Sequence, residues 1–320
     1  PSLGAGTSTG APTMDIEGNP RPNPAGSAPD MGAFESAKST RVTAKYYVMT
    51  TGNDLSNGSL SSPFLTIQRG LDAGYDGDTV IVYPGTYVGE ADYKKKNIVL
   101  GSRFLTTNDN TYRDQTVIEG SVTMDSLSSD AALMGFMIYK NEVNVSGGSP
   151  TLKRLHIREH QGPGLIVSGA KLTINDLEVK SNNTNLGGVS RHGGGIDINS
   201  STVTINNAII DSNVSNYGNG YYGGGLHSTN GSHITITNSQ INDNLAARGG
   251  GIYSANDSSF TMDNVSVRRD SSTSLAGGMW FDNTKTPIQL SNVWIEDNRS
   301  NGSGGGIYVE NASLHITNAS

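Results

Sequence analysis

Residues 223–252 read GGGLHSTNGSHITITNSQINDNLAARGGGI, and their reading decides the fold. A glycine block leads into an apolar residue, Leu226. A short alternating segment follows, with Ile234 and Ile236 on one side. Asn238 comes two residues later, Ile241 three beyond it and Asn244 three beyond that, before the next glycine block opens. Strict alternation places successive side chains on opposite faces of an extended chain.

The same order recurs on both sides of this stretch. The glycine blocks lead into Ile196, Leu226, Ile252, Met279 and Ile307, at intervals of 30, 26, 27 and 28. The strand position recurs at Ile174, Ile205, Ile236, Met262, Leu290 and Ile316. Two residues on stand Asp176, Asn207, Asn238, Asn264, Asn292 and Asn318, and a further apolar series runs through Val179, Ile210, Ile241, Val267 and Ile295. Asn182, Asn213, Asn244, Asp270 and Asn298 close each unit. Upstream, Leu133, Gly135, Ile138 and Asn141, then Leu152, Arg154, Ile157 and His160, fit the same offsets in shorter units.

Each unit therefore holds three short β segments separated by Gly or Asn corners. A chain that turns three corners and returns above itself is a coil of a parallel β-helix, with neighbouring coils about 4.8 Å apart. Stacking buries the inward Ile, Val and Leu in continuous columns. Asn tolerates the left-handed conformation a corner needs, and stacked amides bond from coil to coil. Asn238 and Asn264 are expected in corresponding corners with partly buried amides. The fold class is all-β: a right-handed three-faced parallel β-helix.

A different pattern precedes the coils. Ser62 is placed to cap a short helix with Pro63 at its first position. Phe64, Ile67 and Leu71 share one face, and Gly74 with Asp76-Gly77-Asp78 ends it. An amphipathic helix laid over the open end of a β-helix covers its apolar interior and unpaired edge.

The stretch SSPFLTIQRGLDAGYDGDTVIVYPGTY resembles the N-terminal cap of pectate-lyase-like right-handed β-helix proteins of bacteria, and KNIVLGS (Lys96–Ser102) and TVIEGS (Thr116–Ser121) resemble their first coils. The GGGI and xxN repeats are similar to those of polymorphic outer-membrane proteins. The resemblance covers about residues 46–320 and implies the fold and an extracellular or bacterial cell-surface location. One such fold hosts lyases, hydrolases, epimerases and adhesins. Residues 1–40, which include DIEGNPRPNPAGSAPDMGAFES, look like the C-terminal end of a preceding β-helix domain plus a linker, with a boundary near residues 36–45. The β-helix then runs over 41–320. A start at Pro1 and an end inside a repeat lead us to expect a longer parent protein.

Composition narrows the partners. A net charge of −7 argues against nucleic acid, which favours a basic face. No segment approaches the ~20 apolar residues of a membrane span. There is no Cys, so disulfides, thiolate metal sites and Cys nucleophiles are excluded. The Lys94-Lys95-Lys96 run reads as a solvated turn.

The catalytic motifs of the resembling families are missing. Polygalacturonase-like hydrolases carry an NTD, a DD pair and a GHG, which Arg191-His192-Gly193 matches only superficially. The DPH of alginate epimerases is absent, and the calcium-binding acidic clusters of pectate lyases have no clear counterpart. One surface feature stands out. If the residues after the glycine blocks point inward, then Asp197, His227, Tyr253, Trp280 and Tyr308 point outward in one exposed column about 19 Å long. Aromatic rings stack on sugar faces, and carboxylates bind hydroxyls, so the column is a candidate ligand surface. The alternative is that the aromatics stabilise the sheet.

Beside the column, Asp282 and Glu310 fall in adjacent coils, where carboxyls ~5–6 Å apart would suit retaining glycoside hydrolysis or Ca²⁺. They and His227 are the catalytic candidates, and Asp282 and Glu310 the metal candidates. His192 and His227 could act as bases, yet neither has an evident carboxylate partner by offset. No cofactor is evident beyond Ca²⁺. Two functions fit: a noncatalytic adhesin-like or glycan-binding module, whose partner is a polysaccharide or cell-surface glycan, and a polysaccharide lyase or glycoside hydrolase acting on an acidic polysaccharide.

Overall fold

The computed structural model describes residues 6–7, 9–22, 28–35, 43–184, 192–215, 221–284 and 286–318. The chain divides into two compact units, Pro1–Ala44 and Lys45–Ser320. The boundary expected near residues 36–45 falls largely outside the described residues.

In the first unit, the Asp15 carboxylate accepts hydrogen bonds from Glu17 N, Asn19 N, Asn19 Nδ2 and Glu35 N, all within 2.9 Å. These bonds, that of the Asn19 side chain foremost, hold its pKa well below the usual carboxylate range. Arg21 Nε and Glu35 Oε2 pair at 2.9 Å, with both side chains nearly covered.

The second unit is the β-helix. Among its described residues the strands form parallel sheets of thirteen, nine and four. A representative coil runs through Ile196–Asn199 in the nine-stranded sheet, Thr202–Asp211 in the thirteen-stranded sheet and Val214–Ser215 in the four-stranded sheet. Each strand pairs with its copy one coil away. Ile205, for example, lies between Ile174 and Ile236. The shorter upstream units stack in the expected register, with Leu133, Leu152 and Ile174 aligned.

The ten-residue strand bends sharply midway because one residue sits at positive φ. That residue is Asp176, Asn207, Asn238 or Asn264 in successive coils, at φ 51–58°. Left-handed geometry at a single polar residue turns the strand without breaking the parallel pairing on either side. Gly135 and Arg154 take the same corner upstream. The interior is an apolar column rich in Ile, Val and Leu, including the fully buried Ile174, Ile205, Ile236 and Met262.

Two amide columns run along the rod, and their exposure differs from expectation. Asn238 and Asn264 do occupy corresponding corners, joined Nδ2 to Oδ1 at 2.8 Å, but both are exposed. A left-handed corner points its side chain away from the axis. The buried column is the other series: Asn182, Asn213, Asn244 and Asp270 are fully covered. Asn213 N and Nδ2 both donate to Asn244 Oδ1, and Asn213 Nδ2 also donates to Val179 O. This ladder satisfies backbone groups that a buried turn would otherwise strand.

The glycine blocks answer to two constraints. Their first member takes positive φ, as at Gly193, Gly223 and Gly249. Their last members lie so close to the next coil that a Cβ on Gly225 would sit 2.7 Å from Gly251 O and 3.0 Å from the Asn244 amide.

At the N-terminal end the capping helix is Ile67–Ala73, shorter than expected. Its N-cap is Thr66, whose hydroxyl accepts from Arg69 N. Ser62 and Pro63 do not start it, because Phe64 N donates to Tyr47 O and Met49 N to Phe64 O, which holds this stretch extended. Asp54 accepts from Leu65 N, Thr66 N and Thr66 Oγ1, fixing the helix entry. Phe64, Ile67 and Leu71 are buried over the first coils, and Gly74 closes the helix.

Candidate functional site on the nine-stranded face

The expected column exists in register. Asp197 pairs with His227, His227 with Tyr253, Tyr253 with Trp280 and Trp280 with Tyr308, each one strand above the last. All five point away from the core because their neighbours Ile196, Leu226, Ile252 and Met279 point into it.

The column is not exposed as expected. His227, Tyr253 and Trp280 retain only 5%, 8% and 3% of their accessible surface, while Asp197 and Tyr308 are half-buried. The cover comes from the chain that leads into each glycine block. Tyr222 stacks on Tyr253 with ring centroids 4.5 Å apart, and Ala276 and Leu275 pack into the same cluster. His192 stacks on Tyr222 at 5.0 Å and lies 4.8 Å from the His227 ring. The Arg248 guanidinium stands 5.0 Å from the Trp280 ring centre and 5.5 Å from that of Tyr222. A row of aromatics on a sheet exposes too much apolar area to stay uncovered, so adjoining turns close over it. The result is a second apolar cluster outside the β-helix core.

The structure also corrects the reading of His227. Its Nδ1 lies 2.7 Å from Asp197 Oδ1, so it has a carboxylate partner. The two are 30 residues apart, the length of their coil, and the repeat period carried that signal. The cover by His192, Tyr222, Arg248 and Leu275 was missed: these residues recur four positions before Ile196, Leu226, Ile252 and Met279, but they share no side-chain type, so no apolar column marks them. Burial lowers the pKa of His192, helped by the neighbouring His227, while Asp197 opposes the shift. Arg191 lies outside the described residues. Burial raises the Tyr253 phenol well above its ordinary range, with Asp282 adding to the shift.

Two buried donors in this cluster, Trp280 Nε1 and Arg248 Nε, have no hydrogen-bond acceptor among the described residues. At the rim, Asp282 and Glu310 are register partners on adjacent strands, half-buried and exposed respectively. Asp282 Oδ1 accepts from Asn283 Nδ2 at 2.8 Å. Among the described residues no group of three or more His, Asp or Glu could hold a metal.

A parallel three-sheet coil that turns at left-handed residues, repeated coil upon coil, defines the class: an all-β solenoid of the right-handed parallel β-helix type. Residues 141–320 match the sequence profile described as the right handed beta helix region, and the chain belongs to that family. Among solved structures, pectate lyase Pel9A superposes with a TM-score of 0.50 at 14% identity, covering 87% of this chain and 78% of that one. A rhamnogalacturonan lyase gives 0.44 at 12% identity over 87% of each chain. The endo-xylogalacturonan hydrolase from Aspergillus tubingensis gives 0.38 at 12% identity, over 85% of this chain and 93% of that one. At such identities the likeness is one of fold. No curated protein sequence matches the chain. Among the described residues no helix is long and apolar enough to cross a membrane.

Proposed function

We propose that this chain is a noncatalytic extracellular or cell-surface β-helix module that binds a polysaccharide or surface glycan on its nine-stranded face. The observation that carries this reading is Trp280 Nε1, a buried donor without an acceptor among the described residues, inside an aromatic cluster separate from the core. Leaving such a group unpaired costs about 1–3 kcal/mol. A sugar hydroxyl would satisfy it, and sugar C–H faces stack on the adjoining rings. Asp282 and Glu310 at the rim would accept hydrogen bonds from sugar hydroxyls. Arg248, stacked over Trp280 by a long side chain, is the cover a ligand would displace. The fold likeness to a pectate lyase supports a polysaccharide as the ligand class. The test is a glycan array followed by calorimetry on Trp280→Phe, which keeps a ring and deletes the donor. We expect about tenfold weaker binding with little change in melting. Equal affinity of parent and variant would remove Trp280 from the site.

One observation favours a second reading, a polysaccharide lyase or glycoside hydrolase acting on an acidic polysaccharide. A carboxylate 2.7 Å from His227 Nδ1 orients an imidazole so that Nε2 can take a proton. New unsaturated or reducing ends from pectin or alginate, lost in Asp197→Asn, would establish it. Silence across both polymers with folded protein leaves the binding module.

A further inference from the structure

A separate groove of about 490 Å³ lies on the outer face of the thirteen-stranded sheet, a different sheet from the one that the glycine blocks lead into. Its floor comes from three successive coils, through Arg154, Asp176, Glu178 and Ile209. Its wall is the excursion that carries two short helices, Phe104–Thr107 and Thr111–Gln115, and it contributes Asn110, Arg113 and Asp114. The wall is fastened to the floor by specific contacts. Arg113 meets Asp114 at 2.9 Å and Glu178 at 3.2 Å, and Arg154 donates to Asn110. His156 Nδ1 lies between Asp114 and Glu178, at 3.3 and 3.6 Å.

These pairings leave unused capacity. Behind the lining carboxylates Asp114 and Glu178, His156 Nε2 is buried and has no partner among the described residues. Arg154 Nε is 3.2 Å from Asp176 Oδ2 but too poorly aligned to form a hydrogen bond, so it too is a buried donor in need of an acceptor. The charge balance then selects the ligand. An anion would face the three carboxylates of Asp114, Asp176 and Glu178. A cation would face the two guanidiniums of Arg113 and Arg154. A neutral ligand whose hydroxyls both give and accept hydrogen bonds meets donors and acceptors alternately. Ile209, half-buried, offers it an apolar patch for C–H groups. Because the floor spans three coils spaced about 4.8 Å apart, an extended ligand lying along the rod meets a fresh set of groups at each coil.

We propose that this groove is a second ligand site, independent of the nine-stranded face, that takes a neutral oligosaccharide. The wall supplies specificity and the coils supply length.

The imidazole signals of His156 report on the site through Asp114 and Glu178, which line the groove and flank its Nδ1. NMR of the full chain should be followed while cellohexaose, xylohexaose or mannohexaose is added, with trigalacturonate as the anionic contrast and sorbitol as the simple polyol. The proposal expects a saturable shift of the His156 signals with at least one neutral hexaose, and none with trigalacturonate or sorbitol. Asn110→Ala, on the exposed wall, should weaken that response at least fivefold, and Asp176→Ala at least tenfold. Tyr308→Ala, on the other face, should leave it unchanged. If Asp176→Ala does not fold, Asn110→Ala decides alone. No saturable shift with any of the neutral hexaoses, a stronger response to trigalacturonate, or an Asn110→Ala variant that responds like the parent overturns the proposal.

Discussion

Asp270 occupies the rung of the buried amide ladder next to Asn244, and its Oδ1 accepts both the backbone N–H and the side-chain amide of Asn244, at 2.8 and 2.9 Å. In the other rungs the second side-chain atom is an amide nitrogen donating to a main-chain carbonyl: Asn213 to Val179, Asn244 to Ile210, Asn298 to Val267. At Asp270 that atom is Oδ2, which is buried and has no partner among the described residues. By the pattern of the ladder it faces Ile241 O, and only a protonated carboxyl could bond there.

The ladder therefore makes stability depend on pH. Burial raises the Asp270 pKa well above its ordinary value of 3.8. The folded state holds the proton more tightly than the unfolded chain, so the stabilisation is complete below pH ~3.8 and is lost as pH rises through the folded pKa. Asp270→Asn restores a donor that does not titrate. Calorimetry should show it more stable than the parent by about 1–3 kcal/mol at pH 7.5, and by much less at pH 4. An equal gain at both pH values would show that Asp270 is not the titrating rung.

The two amide columns should differ in energetic weight. Asn244→Ala strands the buried Asn213 N–H and Ile210 carbonyl and should cost about 3 kcal/mol. Asn264→Ala removes one exposed bond to Asn238 and a left-handed preference, at about 1 kcal/mol. Denaturant midpoints at constant m-value measure both. Equal losses would contradict the division into buried and exposed ladders.

Close backbone approach at the glycine blocks is open to the same measurement. Gly225→Ala places a methyl against Gly251 O and the Asn244 amide. A loss of about 2 kcal/mol or more is expected. A neutral result would mean that adjacent coils can separate at this corner without cost.

Why some features were legible in the sequence and others were not follows from the repeat. Ile205, Asn207, Ile210 and Asn213 recur because every coil meets the same neighbours above and below, so their offsets encode the sheets and both ladders. The register of Asp197, His227, Tyr253, Trp280 and Tyr308 was readable for the same reason. Their burial was not, because the covering residues Tyr222, Arg248 and Leu275, although they recur four positions before Leu226, Ile252 and Met279, differ in chemical type and leave no apolar column to read. Which amide column is buried also escaped, since both obey the same spacing and only the direction of the corner separates them. The helix start moved from Ser62 to Thr66 because the pairing of Phe64 with Tyr47 and Met49 overrode a good local cap.

Trp280 offers the most direct test of the saccharide-binding account. The chain has two tryptophans, Trp280 buried in the aromatic column and Trp294 exposed on another sheet. In a Trp294→Phe variant all tryptophan emission comes from Trp280. Titrating that variant with the glycan selected by an array should change the emission saturably, with the affinity found by calorimetry for the parent. A glycan that binds by calorimetry while Trp280 emission stays constant would contradict the account, as would the absence of any binding glycan.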